Sequence, residues 1–244
     1  MMRTLLGAIS FLTIIPVNAK TAAPGRAAVF FPLVGAMLGA AGAGIFIALG
    51  RVLPSTIAAL IVVAFWAGIS GVLHEDGLAD AADAFRAGRS REKMTAILKD
   101  SRIGTYGAVA IVLSVVARWQ ALDHLAATNV FAVLIAAQAT PRAAMVVLAW
   151  VSRPAGTGLG YAFTSTLTTP VALLAMAQGI AAAMACGVRP GLAIVLGSYL
   201  ALRIGQWYFY RRIGGINGDC LGATEQILEI FILVLFTCQA CSWR

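Results

Sequence analysis

The chain has 244 residues, of which 60% are hydrophobic and 11% charged, with a mean hydropathy of +0.88. That excludes an ordinary soluble domain, which is about half apolar and about one quarter charged, and points to an integral membrane protein. Eighteen Lys and Arg against ten Asp and Glu give a formal net charge of +8. In a membrane chain such an excess belongs to cytoplasmic loops rather than to nucleic-acid binding.

Leu5 to Val17 is too short to cross a bilayer and ends near Pro16, so it reads as an interfacial or re-entrant helix. Runs near the twenty apolar residues a span requires follow at Ala27–Gly50, Val52–Leu73, Tyr106–Ala127 and Val130–Val151. Three more follow at Pro170–Gly187, Pro190–Tyr210 and Ile227–Cys241. The expected fold is all-α: a polytopic helix bundle of about seven transmembrane helices forming one domain over residues 1–244. No internal repeat breaks the chain. No cleavable signal peptide is evident, and the lone "CQAC" lacks the second pair a zinc site needs.

With the N-terminus in the cytoplasm, alternation through seven spans places twelve Lys and Arg inside, from Arg3 and Lys20 to Arg211 and Arg212. Only Arg51, Arg189 and Arg244 fall outside, while Arg118, Arg142 and Arg203 lie within spans. This bias fits the positive-inside rule. The same topology sends four polar stretches to one face: "HEDGLADAADAF", "LKDSRIGTYG", "GTGLGYAF" and "GGINGDCLGATEQ".

The first of these carries four of the ten acids. On a helix over residues 76–85, Asp80 lies about 40° from Asp76 and Asp83 about 20° to the other side, so the three carboxylates share one face. Small apolar residues between them indicate packing rather than solvation. Carboxylates this close repel one another unless a cation is present. Oxygen-only ligands suit a hard divalent ion such as Mg²⁺. Lys99, Ser101 and Arg102 before a glycine turn read as a phosphate cradle, and Asp100 as a further metal ligand or a general base. Glu225 and Glu229 form an i, i+4 pair entering the last span, where an ionisable residue is expensive. For Arg118, Arg142 and Arg203, pairing with these acids or snorkelling to an interface is one reading, and a functional role is the other.

Several stretches in this order resemble the cobalamin synthase (adenosylcobinamide-GDP ribazoletransferase) family: "FLTIIPV", "FFPLVGAMLG", "GVLHEDGLADAADAF", "LKDSRIGTYG", "PRAAMV", "GLGYAF" and "GGINGDCLGATEQILEI". The spaced pair of "HEDGLADAADAF" and "KDSRIGTYG" is the most specific part. Asn217 stands where threonine is usual, and Leu98 where methionine is common. The resemblance implies a bacterial inner-membrane enzyme with a cytoplasmic site. It would join α-ribazole, or its 5′-phosphate, to adenosylcobinamide-GDP and release GMP with Mg²⁺ as cofactor. It implies that Asp76, Asp80 and Asp83 hold the metal, and that Lys99 and Arg102 neutralise the GMP side. His74 or Asp100 would serve as base, with Ser101, Asn217 and Asp219 contacting substrate. The expected partners are the two substrates and the lipid bilayer, with self-association left open. The rival classes are a secondary transporter, which normally shows internal repeats, and a non-catalytic membrane scaffold, which leaves the acid cluster unexplained.

Overall fold

The computed structural model describes residues 1–17, 23–125, 129–156 and 159–238. Helix α1 (Met2–Leu12) is followed by α2 (Pro24–Ala27), which continues through one 3₁₀ turn into α3 (Phe31–Leu49). Then come α4 (Ser55–Ile69), α5 (Leu73–Ala87), α6 (Arg91–Ile97), α7 (Thr105–Asp123) and α8 (Val130–Trp150). The chain continues with α9 (Leu159–Thr166), α10 (Thr169–Met184), α11 (Val188–Ile213) and α12 (Gly218–Leu235). The only pairing of β type among the described residues is an isolated parallel bridge between Pro154 and Ile216. The fold is an all-α polytopic membrane bundle.

Helices lie at all seven expected spans, but they are not equivalent. Pro24–Leu49, Thr105–Asp123, Val130–Trp150 and Val188–Ile213 are each long and apolar enough to cross alone. The count rises to six if each of two bent pairs is one span. Helix α4 has only 15 residues and turns by 85° into α5. Gly71 and Val72 make that turn with φ of 62° and 53°. A β-branched residue in the left-handed region is strained, so the bend is imposed by packing. Helix α10 is likewise bent by 104° from the helix before it. The last helix starts at Gly218, nine positions before the expected Ile227, and brings Asp219, Glu225 and Glu229 with it. Those acids are why its apolarity falls short of a simple span. The expected end of that span at Cys241 lies outside the described residues, as do Lys20 and Arg244.

Helix α8 is the hub. It packs against α3, α10 and α12 and is buried along most of its length. Gly35 and Gly39 of α3 lie against the α8 backbone at Gln138 and Leu134, so no side chain separates the two helices. Small residues at such contacts bring membrane helices close enough for dense van der Waals packing. Trp66 of α4 donates its ring N–H to the Leu38 carbonyl at 3.0 Å, tying α4 to α3. Leu192, Leu196, Leu200 and Ile204 remain exposed along one stripe of α11, as do Val109, Val112, Leu113 and Val116 on α7. These are the outward faces a bilayer would cover.

Candidate active site

Helix α5 leaves the apolar span of α4 at the 85° bend and carries the acidic stretch. The three aspartates share a face, as the helical spacing requires, and their exposure falls along it. Asp76 is exposed, Asp80 is half-buried and Asp83 is buried. The first turn of α12 crosses this helix at close range. A Cβ added to Gly77 would meet the Gly222 Cα at 3.1 Å and the Asp219 Cα at 3.2 Å. That contact brings Asp219 to the acidic face. The glycines at the crossing are Gly77 and Gly222. Gly215 lies against the Arg153–Ala155 segment, and Gly218 faces open space.

The electrostatics show the same convergence. Burial first, then the charges of Asp76, Asp219 and Asp83, push the Asp80 carboxyl up to about 7. Asp219 is pushed up to about 6 by burial, against a lowering hydrogen bond from Asn217 and with Asp76 adding repulsion. Asn217 caps α12: its side-chain oxygen accepts from the Cys220 N–H at 3.0 Å, and its amide donates to Asp219 Oδ2 at 2.6 Å. Asparagine is among the most favourable N-cap residues, because its side-chain oxygen reaches a first-turn N–H.

Asp83 has a distinct environment. Its two carboxylate oxygens accept backbone N–H bonds from Gly104 at 2.7 Å and Gly107 at 3.0 Å, at the start of α7. It therefore fixes the "RIGTYG" turn against α5 and complements the α7 dipole. Asp83→Asn, which replaces one acceptor by a donor, should cost about 1–2 kcal/mol of stability. Thermal unfolding in detergent checks this. An activity loss at unchanged melting temperature would instead give Asp83 a direct role at the metal.

A cavity of about 390 Å³ opens on this crossing. His74, Asp76, Lys99, Asn217 and Asp219 line it, so five of the expected residues meet there. All four polar stretches that the spans sent to one face contribute to its wall. Asp100, Ser101 and Arg102 are not among its lining residues. Asp100 is instead paired with Arg102 at 2.6 Å on the surface, and the hydrogen bonds from Arg102 hold its carboxyl below the usual range. His74 is buried, and burial together with the Arg142 charge pushes it down to about 3, so the imidazole is neutral. Its Nδ1 lies 3.3 Å from Glu225, and its buried Nε2 has no hydrogen-bond partner.

Behind the cavity lies a buried ionic network. Arg118 contacts Glu75 at 2.9 Å and Glu229 at 3.5 Å, while Arg142 contacts Glu225 at 2.8 Å and the Gln138 side chain at 2.7 Å. Ser114 donates to Gln226 at 2.7 Å. Four helices, α5, α7, α8 and α12, are joined this way. The pairing reading of Arg118 and Arg142 therefore holds. Arg203 differs: it bonds Gln206 at the exposed surface.

Sequence reasoning missed the apolar wall. Phe11, Phe31 and Phe163 stack with centroids 5.2–6.2 Å apart, and all three line the cavity with Tyr161 and Met145. The signal was present, since "FLTIIPV", "FFPLVGAMLG" and "GLGYAF" each supply one of the three rings.

Among the described residues no group of three or more His, Cys, Asp and Glu side chains is placed to hold a metal ion by itself. Mg²⁺ does not require one. It is commonly held by one or two carboxylates together with waters and substrate phosphates. Asp76 and Asp219 are oxygen donors at the cavity wall, with Asp80 on the same helix face as Asp76, and one or two such carboxylates suit the ion.

The fold and cavity define a helical integral membrane protein with a polar site built at the crossing of two helices. The chain belongs to the cobalamin-5-phosphate synthase family, whose model matches residues 4–237. It is 36% identical over 234 residues to the adenosylcobinamide-GDP ribazoletransferase of Ralstonia pickettii (strain 12J), covering 93% of this chain and 91% of the relative. Identity to the enzyme of the same name from Bradyrhizobium diazoefficiens is 39% over 243 residues, covering 93% and 90%. For that of Shewanella amazonensis it is 32% over 239 residues, covering 93% and 92%. No solved structure matches.

Proposed function

We propose that this protein joins adenosylcobinamide-GDP to α-ribazole, or to its 5′-phosphate, and releases GMP. The observation that carries the reading is the gathering of Asp76, Asp219 and Lys99 on one cavity of a chain in this family. The ribazole 3′-hydroxyl attacks the phosphate nearer the cobinamide side chain. A new phosphodiester forms, and the bond to GMP breaks. Asp76, Asp80 and Asp219 would hold Mg²⁺, which neutralises charge on the transferring phosphate when bound. Lys99 supplies a cation at the cavity wall for phosphate oxygens. His74 is at the cavity wall and Asp100 is not, so His74 is the better placed of the two candidate bases. Burial and the Arg142 charge weaken its imidazole as a proton acceptor, as the Arg102 ion pair weakens Asp100.

A cobalamin-requiring bacterium lacking its own ribazoletransferase provides a test. Expression of this chain should restore growth on cobinamide plus the ribazole base. Failure to grow, with the protein inserted in the membrane, would overturn the assignment.

The proposed orientation places the cavity at the cytoplasmic face of the inner membrane. Cysteines introduced at exposed Ser90 and Arg211, in a cysteine-free background, should react only with reagents that enter the cytoplasm. A cysteine at exposed Arg51 should react from outside. The reverse pattern would invert the topology.

A further inference from the structure

The cavity has two chemically different walls. Helices α5 and α12 supply Asp76, Asn217 and Asp219, and Lys99 follows α6. Helices α1, α3, α8 and α9 supply Phe11, Phe31, Met145, Tyr161 and Phe163. Phe31 and Phe163 are almost wholly buried and hold the wall rigid, whereas Tyr161 is 51% exposed and Phe11 is half-buried. We infer that this cavity is the nucleoside-acceptor subsite: the planar base of α-ribazole lies against the Phe11–Tyr161–Phe163 wall, with its ribose directed to Asp76 and Asp219. The inference rests on the transferase reading above.

Size and polarity both select this occupant. About 390 Å³ lies near the lower end of the range that encloses a drug-sized ligand. It accommodates a nucleoside but not a corrin macrocycle, which stays outside with only its phosphate-bearing arm reaching in. Guanine is the other planar base in the reaction. Its edge carries N–H donors and carbonyl and ring-nitrogen acceptors, and burying these without partners is costly. Apart from the Tyr161 hydroxyl, the side chains of this wall, Phe11, Phe31, Met145 and Phe163, offer no hydrogen-bonding groups to them. A benzimidazole-type base, whose carbon edge needs no partners, loses nothing there and gains aromatic contact. The charged side chains lie on the opposite wall, where a ribose hydroxyl must meet the phosphate.

The test uses the full-length protein in detergent or nanodiscs. Tyr161→Leu removes an exposed ring, and Phe163→Leu removes a buried one while keeping most of the apolar volume. Each should raise KM for α-ribazole at least tenfold and leave KM for adenosylcobinamide-GDP within about twofold. Free dimethylbenzimidazole should inhibit the unaltered protein competitively against α-ribazole and not against adenosylcobinamide-GDP, which decides the matter even if a variant fails to fold. A rise in KM for adenosylcobinamide-GDP alone would place guanine in the cavity and overturn the inference. So would unchanged KM values in both folded variants, or inhibition competitive with the GDP substrate. An unaltered protein that releases no GMP from the two substrates would instead overturn the transferase reading itself, a result separable from any change in KM.

Discussion

Asp76→Asn, Asp80→Asn and Asp219→Asn are each expected to lower turnover by about 10²–10³-fold, the scale of losing one preorganised electrostatic contact at a transition state. Each change keeps size and an acceptor oxygen but removes the charge that would hold Mg²⁺. Removing one carboxylate also relieves the repulsion that, after burial, raises Asp80 and Asp219. The variants should therefore fold at least as well as the unaltered protein while losing activity. Part of the loss should be recovered at high Mg²⁺ if the residue touches the ion. Steady-state rates across a Mg²⁺ titration, with thermal unfolding on the same preparations, check both parts. Three variants with near-normal turnover at limiting Mg²⁺ would show that the acidic face is structural.

Arg118→Ala has the opposite expected signature. Arg118 is 1% exposed and is the partner of both Glu75 and Glu229. Its loss leaves two carboxylates buried without their cation, and breaking a buried pair this way costs about 3–5 kcal/mol. The expected outcome is loss of monodisperse protein on extraction. Combining Arg118→Met with Glu75→Gln and Glu229→Gln removes the charges together and should restore folding, because a buried ionic group can often be replaced by neutral residues without loss. Gel filtration and melting temperature of the single and triple variants decide this. An Arg118→Ala protein as stable as the parent would mean that the network contributes nothing to the bundle.

The acidic face was readable because helical periodicity is local: Asp76, Asp80 and Asp83 share a side of any α-helix. Their individual environments were not readable. Asp83 accepts from Gly104 and Gly107, more than twenty positions away, and nothing at Asp83 itself marks that contact. The meeting of Asp219 with α5 followed from span parity, but its glycines at the crossing did not. Gly77 looked like an ordinary small residue within a helix, and only its tertiary partner Gly222 gives it meaning. Arg118, Arg142 and Glu229, charged residues inside apolar spans, announced themselves by their cost in such a setting. Which acid met which arginine depends on helix rotation, which one sequence does not specify. The aromatic wall was hidden because Phe11, Phe31 and Phe163 belong to three distant segments of a chain already rich in apolar residues.

The central claim is tested most directly by incubating the purified protein with adenosylcobinamide-GDP, α-ribazole and Mg²⁺, and measuring GMP and the corrinoid product by mass spectrometry. The account predicts GMP and adenosylcobalamin in equal amounts, neither appearing when α-ribazole is omitted. GMP released equally well without α-ribazole would mark a hydrolase, and no GMP under any of these conditions would contradict the account.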